Sequence, residues 1–205
     1  MCFVGFDLDL TLADTRVGIA AVYDELSKRL GVPIDTAAVV SRLGPPLETE
    51  LAYWLPEAEI RAAAALYRDL YAGIAVPATS VMPGAREALA AVHDAGGSVI
   101  VVTGKNTADA KRTLDALDLP VEAVEGSLFG AEKGASLASF GAAAYVGDHV
   151  ADIAAARAGG TVSVTVATGP YTAGELREHG ADVVLGDLTE FGTWFRRWRG
   201  ETSFT

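Results

Sequence analysis

The most constraining feature of the sequence is a pair of aspartates that directly follows its first apolar run. Residues 2–6 read as a buried strand, and Asp7 and Asp9 stand where that strand would end. Because side chains alternate along a strand, residues two apart point to the same side. Two carboxylates on one side repel each other unless a cation offsets their charge. Carboxylate oxygens suit Mg²⁺, so the pattern indicates a magnesium site at the end of this strand.

The composition limits the classes of partner. The chain has 205 residues, enough for one domain with an insertion or for two small domains. A net charge of −11 argues against general binding to nucleic acid or to anionic membranes, which requires a basic face. Cys2 is the single cysteine, so an internal disulfide is excluded. No leader segment and no apolar run of about 18 residues is present, so we expect a soluble cytoplasmic protein.

The hydrophobic pattern divides the chain into two parts. Residues 15–79 read as helices with a break at residues 43–47, because apolar side chains recur there at helical spacing. From residue 81 onward, apolar strands alternate with helices, which is typical of a parallel sheet covered on both faces. We therefore predict an α/β core at residues 1–14 and 80–205, with an α-helical insertion at residues 15–79. Further strands are predicted at residues 98–102, 121–124, 142–146, 161–166 and 182–185, and a final amphipathic helix at residues 191–198.

Polar and acidic residues follow several of these strands. Thr103 and Gly104 follow the strand at 98–102, and Asp148 follows the strand at 142–146, with Asp152 one helical turn later. In open parallel sheets the ligand site lies beyond the carboxyl ends of the strands. This arrangement is consistent with phosphoryl transfer through an aspartate, which needs a nucleophilic carboxylate, Mg²⁺, an acid, and amides, a hydroxyl and a lysine that hold phosphate oxygens.

Four motifs give the sequence a family resemblance. Residues 7–11 match D-x-D-x-T, Thr103 ends a hydrophobic strand, Lys133 is a lone lysine, and residues 147–152 match G-D-x-x-x-D. In this order, and over nearly the whole chain, they resemble the haloacid dehalogenase superfamily, in particular its phosphoglycolate phosphatase-like group. The resemblance implies a Rossmann-like parallel sheet core and an α-helical cap inserted after the first strand.

The resemblance also implies roles for individual residues. Asp7 would be the nucleophile, and Asp9 would be the general acid and later the base, with its backbone carbonyl on the metal. Lys133 would neutralise the phosphate and the nucleophile. Asp148 would ligate Mg²⁺ together with Asp7 and Asp9, and Asp152 would support the site through water or by holding Lys133. The phosphate would be bound by Thr11, Thr103 and Gly104.

Four further positions carry specific expectations. Arg42, before the loop at residues 44–47 that resembles a family cap loop, is a candidate ligand of an anionic substrate group, and a surface position is the alternative. Lys105, just past Thr103, is the alternative to Lys133 as the motif lysine, but its position one helix earlier makes a place on the rim the expectation. Leu10 stands where the family usually has Gly, and since it cannot easily take Gly-like angles, we expect a small local change. His149, next to the predicted metal ligand, is a candidate catalytic base, but its role is left open because adjacent residues need not face the same point.

The sequence leaves several functions open. The first is a Mg²⁺-dependent phosphatase that acts on a small phosphorylated metabolite. A phosphomutase of the β-phosphoglucomutase type shares the same motifs, and a haloacid dehalogenase shares the fold but lacks the second acidic residue and needs no metal. A non-catalytic binding protein is not excluded by fold alone. The substrate is not specified, and both a monomer and a homodimer remain open.

Overall fold

The chain begins with a central strand and a short two-stranded ribbon. The computed structural model describes residues 2–201. Strand β1 (Phe3–Phe6) enters a tight turn, which ends in β2 (Ala13–Asp14). Strand β2 pairs antiparallel with β3 (Ser80–Val81), so the long segment between these two strands begins and ends at the same place.

That segment is helical and has its own apolar cluster. Its helices are α1 (Arg16–Leu30), α2 (Thr36–Ser41), α3 (Leu47–Leu51) and α4 (Glu57–Ile74), followed by a 3-10 turn at Val76–Ala78. Their buried faces meet around Tyr23, Leu26, Leu51 and Tyr67. Helices therefore occupy most of the insertion predicted at residues 15–79. That this insertion is a separate cap domain stays a prediction.

The rest of the chain builds a parallel sheet, as predicted. Its order is β5-β4-β1-β6-β7-β8, and every neighbouring pair is parallel. The elements after β3 are α5 (Ala85–Asp94), β4 (Ser98–Val102), α6 (Thr107–Ala116), β5 (Ala123–Glu125), α7 (Glu132–Phe140), β6 (Ala142–Gly147), α8 (Val150–Gly159), β7 (Val162–Val166), α9 (Ala173–Glu178), β8 (Val183–Leu185), a 3-10 turn at Leu188–Glu190 and α10 (Phe191–Glu201). Strand β1 lies between β4 and β6, so their three carboxyl ends are adjacent.

Both faces of the sheet are covered. One apolar cluster includes Phe6, Phe191 and Phe195, and the cluster on the other side includes Ile100 and Leu137. The predicted final helix is confirmed as α10, and its tryptophans at 194 and 198 pack against the first cluster. Among the described helices, none is both long enough and apolar enough to cross a membrane.

Candidate functional site

A tight turn after β1 positions the first pair of aspartates. The amide of Asp7 donates to the carbonyl of Val146 on β6, and the carbonyl of Leu8 accepts from the amides of residues 11–13. This reversal puts Leu10 at φ +57°, a left-handed conformation that costs a residue other than Gly about 1–2 kcal/mol. The expectation that Leu10 would avoid such angles was wrong. Its carbonyl accepts a 2.6 Å bond from the hydroxyl of Thr168, which helps to hold the turn.

Three buried carboxylates converge at the strand ends. Asp7, Asp148 and Asp152 each offer an oxygen, and these atoms lie within 4.8 Å of one another. Burial raises the pKa of Asp7 to about 6, although the ammonium of Lys133 acts in the opposite direction. Burial likewise raises the pKa of Asp148 well above its usual range, and the charges of Asp152 and Asp7 add to that effect. Desolvation and like charge thus both disfavour the ionised cluster in the absence of an added cation.

Lys133 supplies one positive charge to this cluster. It begins the buried face of α7, and its side chain is only 2% exposed. The Nζ atom lies 3.1 Å from Oδ2 of Asp7 and 2.8 Å from Oδ1 of Asp152, and it donates to the hydroxyl of Tyr145 at 2.8 Å. Burial lowers the pKa of Lys133, but the two carboxylates more than reverse this and raise it above its usual value. The lysine is therefore a fixed cation.

Asp152 contacts Lys133, as one of the two predicted supporting roles required. Its Oδ1 atom meets that ammonium, and its Oδ2 atom accepts from the amide of His149 at 3.1 Å. His149 in turn accepts from the amide of Ala151 through Nδ1, so the two side chains form a reciprocal cap on α8. Burial lowers the pKa of His149, which favours the neutral ring that this cap requires.

Asp148 is the carboxylate best suited to a metal. Its Oδ1 accepts a 2.8 Å bond from the hydroxyl of Thr11, and among the described residues no cationic side chain forms an ion pair with it. Its other oxygen faces Gly169, where an added Cβ would lie 1.8 Å away. Thr11 was predicted to bind phosphate, but its hydroxyl proton is engaged by Asp148. An oriented, buried and unpaired carboxylate fits a divalent cation.

Asp9 lies beside the cluster and faces the helical segment. Its Oδ1 atom accepts from the hydroxyl of Thr15 at 2.7 Å and lies 3.1 Å from Nζ of Lys105. The Lys105 side chain is 8% exposed, and its ammonium lies 4.5 Å from the ring centre of Tyr71 on α4. The prediction that Lys105 lies on the rim was therefore wrong. The turn after β4 places this lysine beneath α4, which covers it.

The predicted phosphate ligands are divided between two places. Thr103 and Gly104 border a small cavity with Asp7, Asp9 and Asp148, which the loop at residues 43–44 closes from the other side. The backbone approaches closely at Gly104, where an added Cβ would lie 3.1 Å from the carbonyl oxygen of Gly44 in this loop. Arg42 is outside this cavity. Its guanidinium lies 2.6 Å from Oε1 of Glu50 and stacks on Tyr53, an arrangement that differs from the predicted contact with an anionic substrate group.

Sequence reasoning missed several groups that hold the site. Tyr145 connects Lys133 to the carbonyl of Val102, and its signal was a polar hydroxyl inside an otherwise apolar strand. Thr168 and Gly169 follow strand β7, so the rule about strand ends would have found them had it been applied to that strand. Thr15 gave no signal, because its contact with Asp9 depends on how the turn is folded.

Comparisons with known proteins identify the family of this chain. The model of the haloacid dehalogenase-like hydrolase family matches residues 4–122, and a second model, described as HAD-hydrolase-like, matches residues 128–191. "Probable phosphatase IndB" of Dickeya dadantii is 28% identical over 208 residues, which cover 90% of this chain and 89% of that protein.

Solved structures share the fold. A predicted phosphatase from Clostridium acetobutylicum superposes with a TM-score of 0.83 at 23% identity, covering 96% of this chain and 98% of the other. A "Putative beta-phosphoglucomutase" from Bacteroides vulgatus superposes with a TM-score of 0.75 at 20% identity, covering 98% and 89%. At such identities the likeness shows the fold alone. The family model spans more than half of the chain, and the chain therefore belongs to the haloacid dehalogenase-like hydrolase family.

Proposed function

We propose that this protein is a Mg²⁺-dependent phosphatase that hydrolyses small phosphate monoesters through a phosphoaspartate on Asp7. The observation that carries the proposal is the charge balance at the strand ends. Four carboxylates, those of Asp7, Asp9, Asp148 and Asp152, face only two lysines among the described residues. One divalent cation would offset the excess, and oxygen ligands of this kind suit Mg²⁺.

The proposed metal ligands are the carboxylates of Asp7 and Asp148 and the backbone carbonyl of Asp9. Bound there, Mg²⁺ would offset negative charge on the phosphate and on the nucleophile. Asp152 is reserved for Lys133, because both of its oxygens already accept hydrogen bonds. Lys133 would balance part of the charge that develops on the transferring phosphoryl group.

The residues divide the reaction into two displacements. In the first, a carboxylate oxygen of Asp7 forms a bond to phosphorus while the ester bond breaks, and Asp9 gives its proton to the leaving alcohol oxygen. In the second, Asp9 takes a proton from water, whose oxygen attacks phosphorus as the bond to Asp7 breaks. Phosphate leaves and Asp7 is restored. The hydroxyl of Thr103 and the amides around Gly104 would hold the phosphate oxygens.

The helical segment at residues 15–79 would act as the cap over this site. The carbonyl of Gly44 lies close to Gly104, and Asp9 itself contacts Lys105 beneath α4. Movement of the cap about the β2–β3 ribbon would admit substrate, and its closure would exclude water from the first displacement.

A phosphomutase is the second candidate. The cavity between cap and core adjoins the strand ends and has room for the sugar that a mutase must hold, and a protein named putative β-phosphoglucomutase shares the fold. A mutase retains the phosphoaspartate and returns it to a sugar. The products separate the two functions, since a phosphatase releases inorganic phosphate while a mutase gives an isomeric sugar phosphate.

Hydrolysis of p-nitrophenyl phosphate tests the proposal. The wild-type protein should hydrolyse this ester with Mg²⁺ but not in EDTA. Asp7→Asn should be inactive in both conditions. The exposed Asp115→Asn variant serves as the matched control and should behave as wild type. Absence of turnover with any divalent cation would overturn the proposal, and chloroacetate dechlorination would then be the next assay.

A further inference from the structure

A cavity beside the site lies between the helical cap and the core. This cap chamber has a volume of about 230 Å³ and is lined by Tyr23, Arg42, Tyr67, Tyr71, Gly104 and Lys105, among others. It adjoins the small catalytic cavity, with which it shares Asp9 and Gly104. A phosphate held at the strand ends would therefore direct its ester group into this chamber. A cavity of this size is far larger than the roughly 10–15 Å³ that one water molecule requires, so a group larger than two carbons fits.

Every cation that lines the chamber already has a carboxylate partner. Among the described residues, three cationic and four acidic side chains border it, so this part of the wall has no positive excess. The ion pairs are Lys105 with Asp9 at 3.1 Å, Arg42 with Glu50 at 2.6 Å and Arg68 with Glu48 at 2.5 Å. The fourth acid, Asp109, pairs with Arg112 at 2.8 Å.

The Arg42 pair is the one best placed to reject a second anion. Both carboxylate oxygens of Glu50 accept from its guanidinium, and Glu50 also accepts from the indole of Trp54. The Glu50 side chain is only 9% exposed. A substrate carboxylate that took this guanidinium would leave Glu50 buried without its partner, which is strongly unfavourable. The Arg68 pair is nearly half exposed on both sides and adds no net charge.

The chamber does offer neutral hydrogen-bonding groups. Tyr23 and Tyr67 line it with rings 5.1 Å apart, and neither phenol hydroxyl bonds to another described residue. Within the described residues, the fully buried side-chain oxygen and nitrogen atoms that lack a hydrogen-bond partner belong to Ser136 and Thr161. The phenol oxygens of Tyr23 and Tyr67 also lack a partner but are not among these buried atoms, so they reach open space. Burial raises the pKa of both phenols above their usual value, which keeps them protonated as donors.

From these contacts we infer that the chamber selects phosphate monoesters of neutral, hydroxylated alcohols, such as polyols or sugars, and disfavours esters that carry a second anionic group. This inference rests on the proposed phosphatase function and narrows its substrate class. Phenol hydroxyls and aromatic faces bind hydroxyl and C–H groups, while the paired cations leave no site for a carboxylate. Phosphoglycolate, whose leaving group is a small anion, belongs to the disfavoured class.

Two pairs of esters, in each of which a carboxylate replaces a neutral hydroxymethyl group, test the inference. Phosphoglycolate is compared with hydroxyethyl phosphate, and phosphoglycerate with the glycerol phosphate esterified at the same primary hydroxyl. With Mg²⁺ present, the neutral member of each pair should have the higher kcat/KM, by about tenfold or more. Equal values, or a preference for the carboxylated members, would overturn the inference.

Variants assign the selectivity to named groups. Tyr23→Phe and Tyr67→Phe should raise KM for glycerol phosphate and lower the ratio of kcat/KM for the neutral ester to that for the charged ester. Glu59→Gln, at an exposed position of α4 outside the chamber lining, should leave this ratio unchanged. Glu50→Gln should raise the relative kcat/KM for the carboxylated esters, because it releases Arg42. A ratio unchanged in all three chamber variants would contradict the assignment.

Two outcomes separate the inference from the proposed function. If p-nitrophenyl phosphate is hydrolysed but the charge preference is absent, only the inference fails. If p-nitrophenyl phosphate is not hydrolysed, the proposed function fails and the inference with it.

Discussion

Two neighbouring regions of this molecule differ in how their charged side chains are balanced. At the strand ends, buried carboxylates outnumber the lysines, and Asp148 has no cationic partner among the described residues. In the cap chamber, each lining cation is matched by a carboxylate. The first arrangement leaves an excess of negative charge that a further cation would offset, whereas in the second the charges of the lining cations are already offset. Charge balance, rather than the count of charged residues, therefore distinguishes the proposed metal site from the proposed neutral binding site.

Replacement of Lys133 should give the largest effect. Lys133→Met should lower kcat by about 10²–10³-fold, because it removes the buried cation that would face the transferring phosphoryl group. It should also destabilise the fold by about 3–5 kcal/mol, since Asp7 and Asp152 lose their partner. Steady-state kinetics and urea unfolding measure the two effects, and Lys111→Met, on the exposed face of α6, is the control. A variant with unchanged kcat would contradict the role given to Lys133.

The excess of carboxylates should be visible as a pH dependence of stability. The pKa of Asp7 is raised in the fold from 3.8 to about 6, so folding favours its protonated form. The cost of ionising it is absent below pH 4, grows as the pH rises towards 6 and is fully present above 6. In EDTA, Asp7→Asn should therefore be more stable than wild type at pH 8, by up to about 3 kcal/mol, with little difference at pH 4. Urea unfolding at both pH values measures this, and a difference independent of pH would count against an excess of carboxylates at the strand ends.

The hydroxyl of Thr11 should affect the metal rather than the substrate. It orients Asp148 through a 2.8 Å hydrogen bond. Thr11→Val should raise the Mg²⁺ concentration required for half-maximal activity by about 10–100-fold, because groups that orient a metal ligand typically have effects of that size. The measurement is a Mg²⁺ titration of activity, and Thr49→Val, an exposed position on α3, is the control. If saturating Mg²⁺ does not restore activity and KM for substrate rises instead, Thr11 binds phosphate.

The smallest effect is expected at Lys105, where the two regions meet. Lys105→Met removes one of two contacts to Asp9 and leaves the bond from Thr15. We expect a decrease in kcat of about tenfold, since general acid–base catalysis contributes about 10²–10⁴-fold and only its orientation is weakened. Comparison with Lys133→Met under the same conditions gives the ranking, and equal losses at the two lysines would contradict the separate roles given to them.

Much of the fold could be predicted because its strands are continuous apolar runs between turn residues. The strands at 98–102 and 142–147 are confirmed nearly to the residue. The short edge strand was predicted at 121–124 and lies at 123–125, since few side chains are buried there to fix its ends. Helix α7 was not predicted, because its nine residues include Gly and two Ser and show weak periodicity.

The site was harder to predict from the sequence where it depends on contacts between residues that are distant in the chain. Asp7, Asp148 and Lys133 could be found because they follow strands or match motifs. Lys105 was misplaced, since its burial depends on α4, which lies more than thirty residues earlier in the chain and covers it only after folding. Leu10 was misjudged because the hydrogen bonds around the turn outweigh the intrinsic preference of its backbone.

The central claim is that the strand-end cluster is completed by a divalent cation, and calorimetric titration of MgCl₂ tests it most directly. We predict one Mg²⁺ site in the wild-type protein, no measurable binding in Asp148→Asn, and wild-type binding in Asp115→Asn. In the Asp148→Asn variant, Thr11 can still donate to the amide oxygen of the substituted side chain, so the fold is expected to persist, which circular dichroism can verify. Equal Mg²⁺ binding by the wild type and Asp148→Asn, or none by the wild type, would contradict the claim.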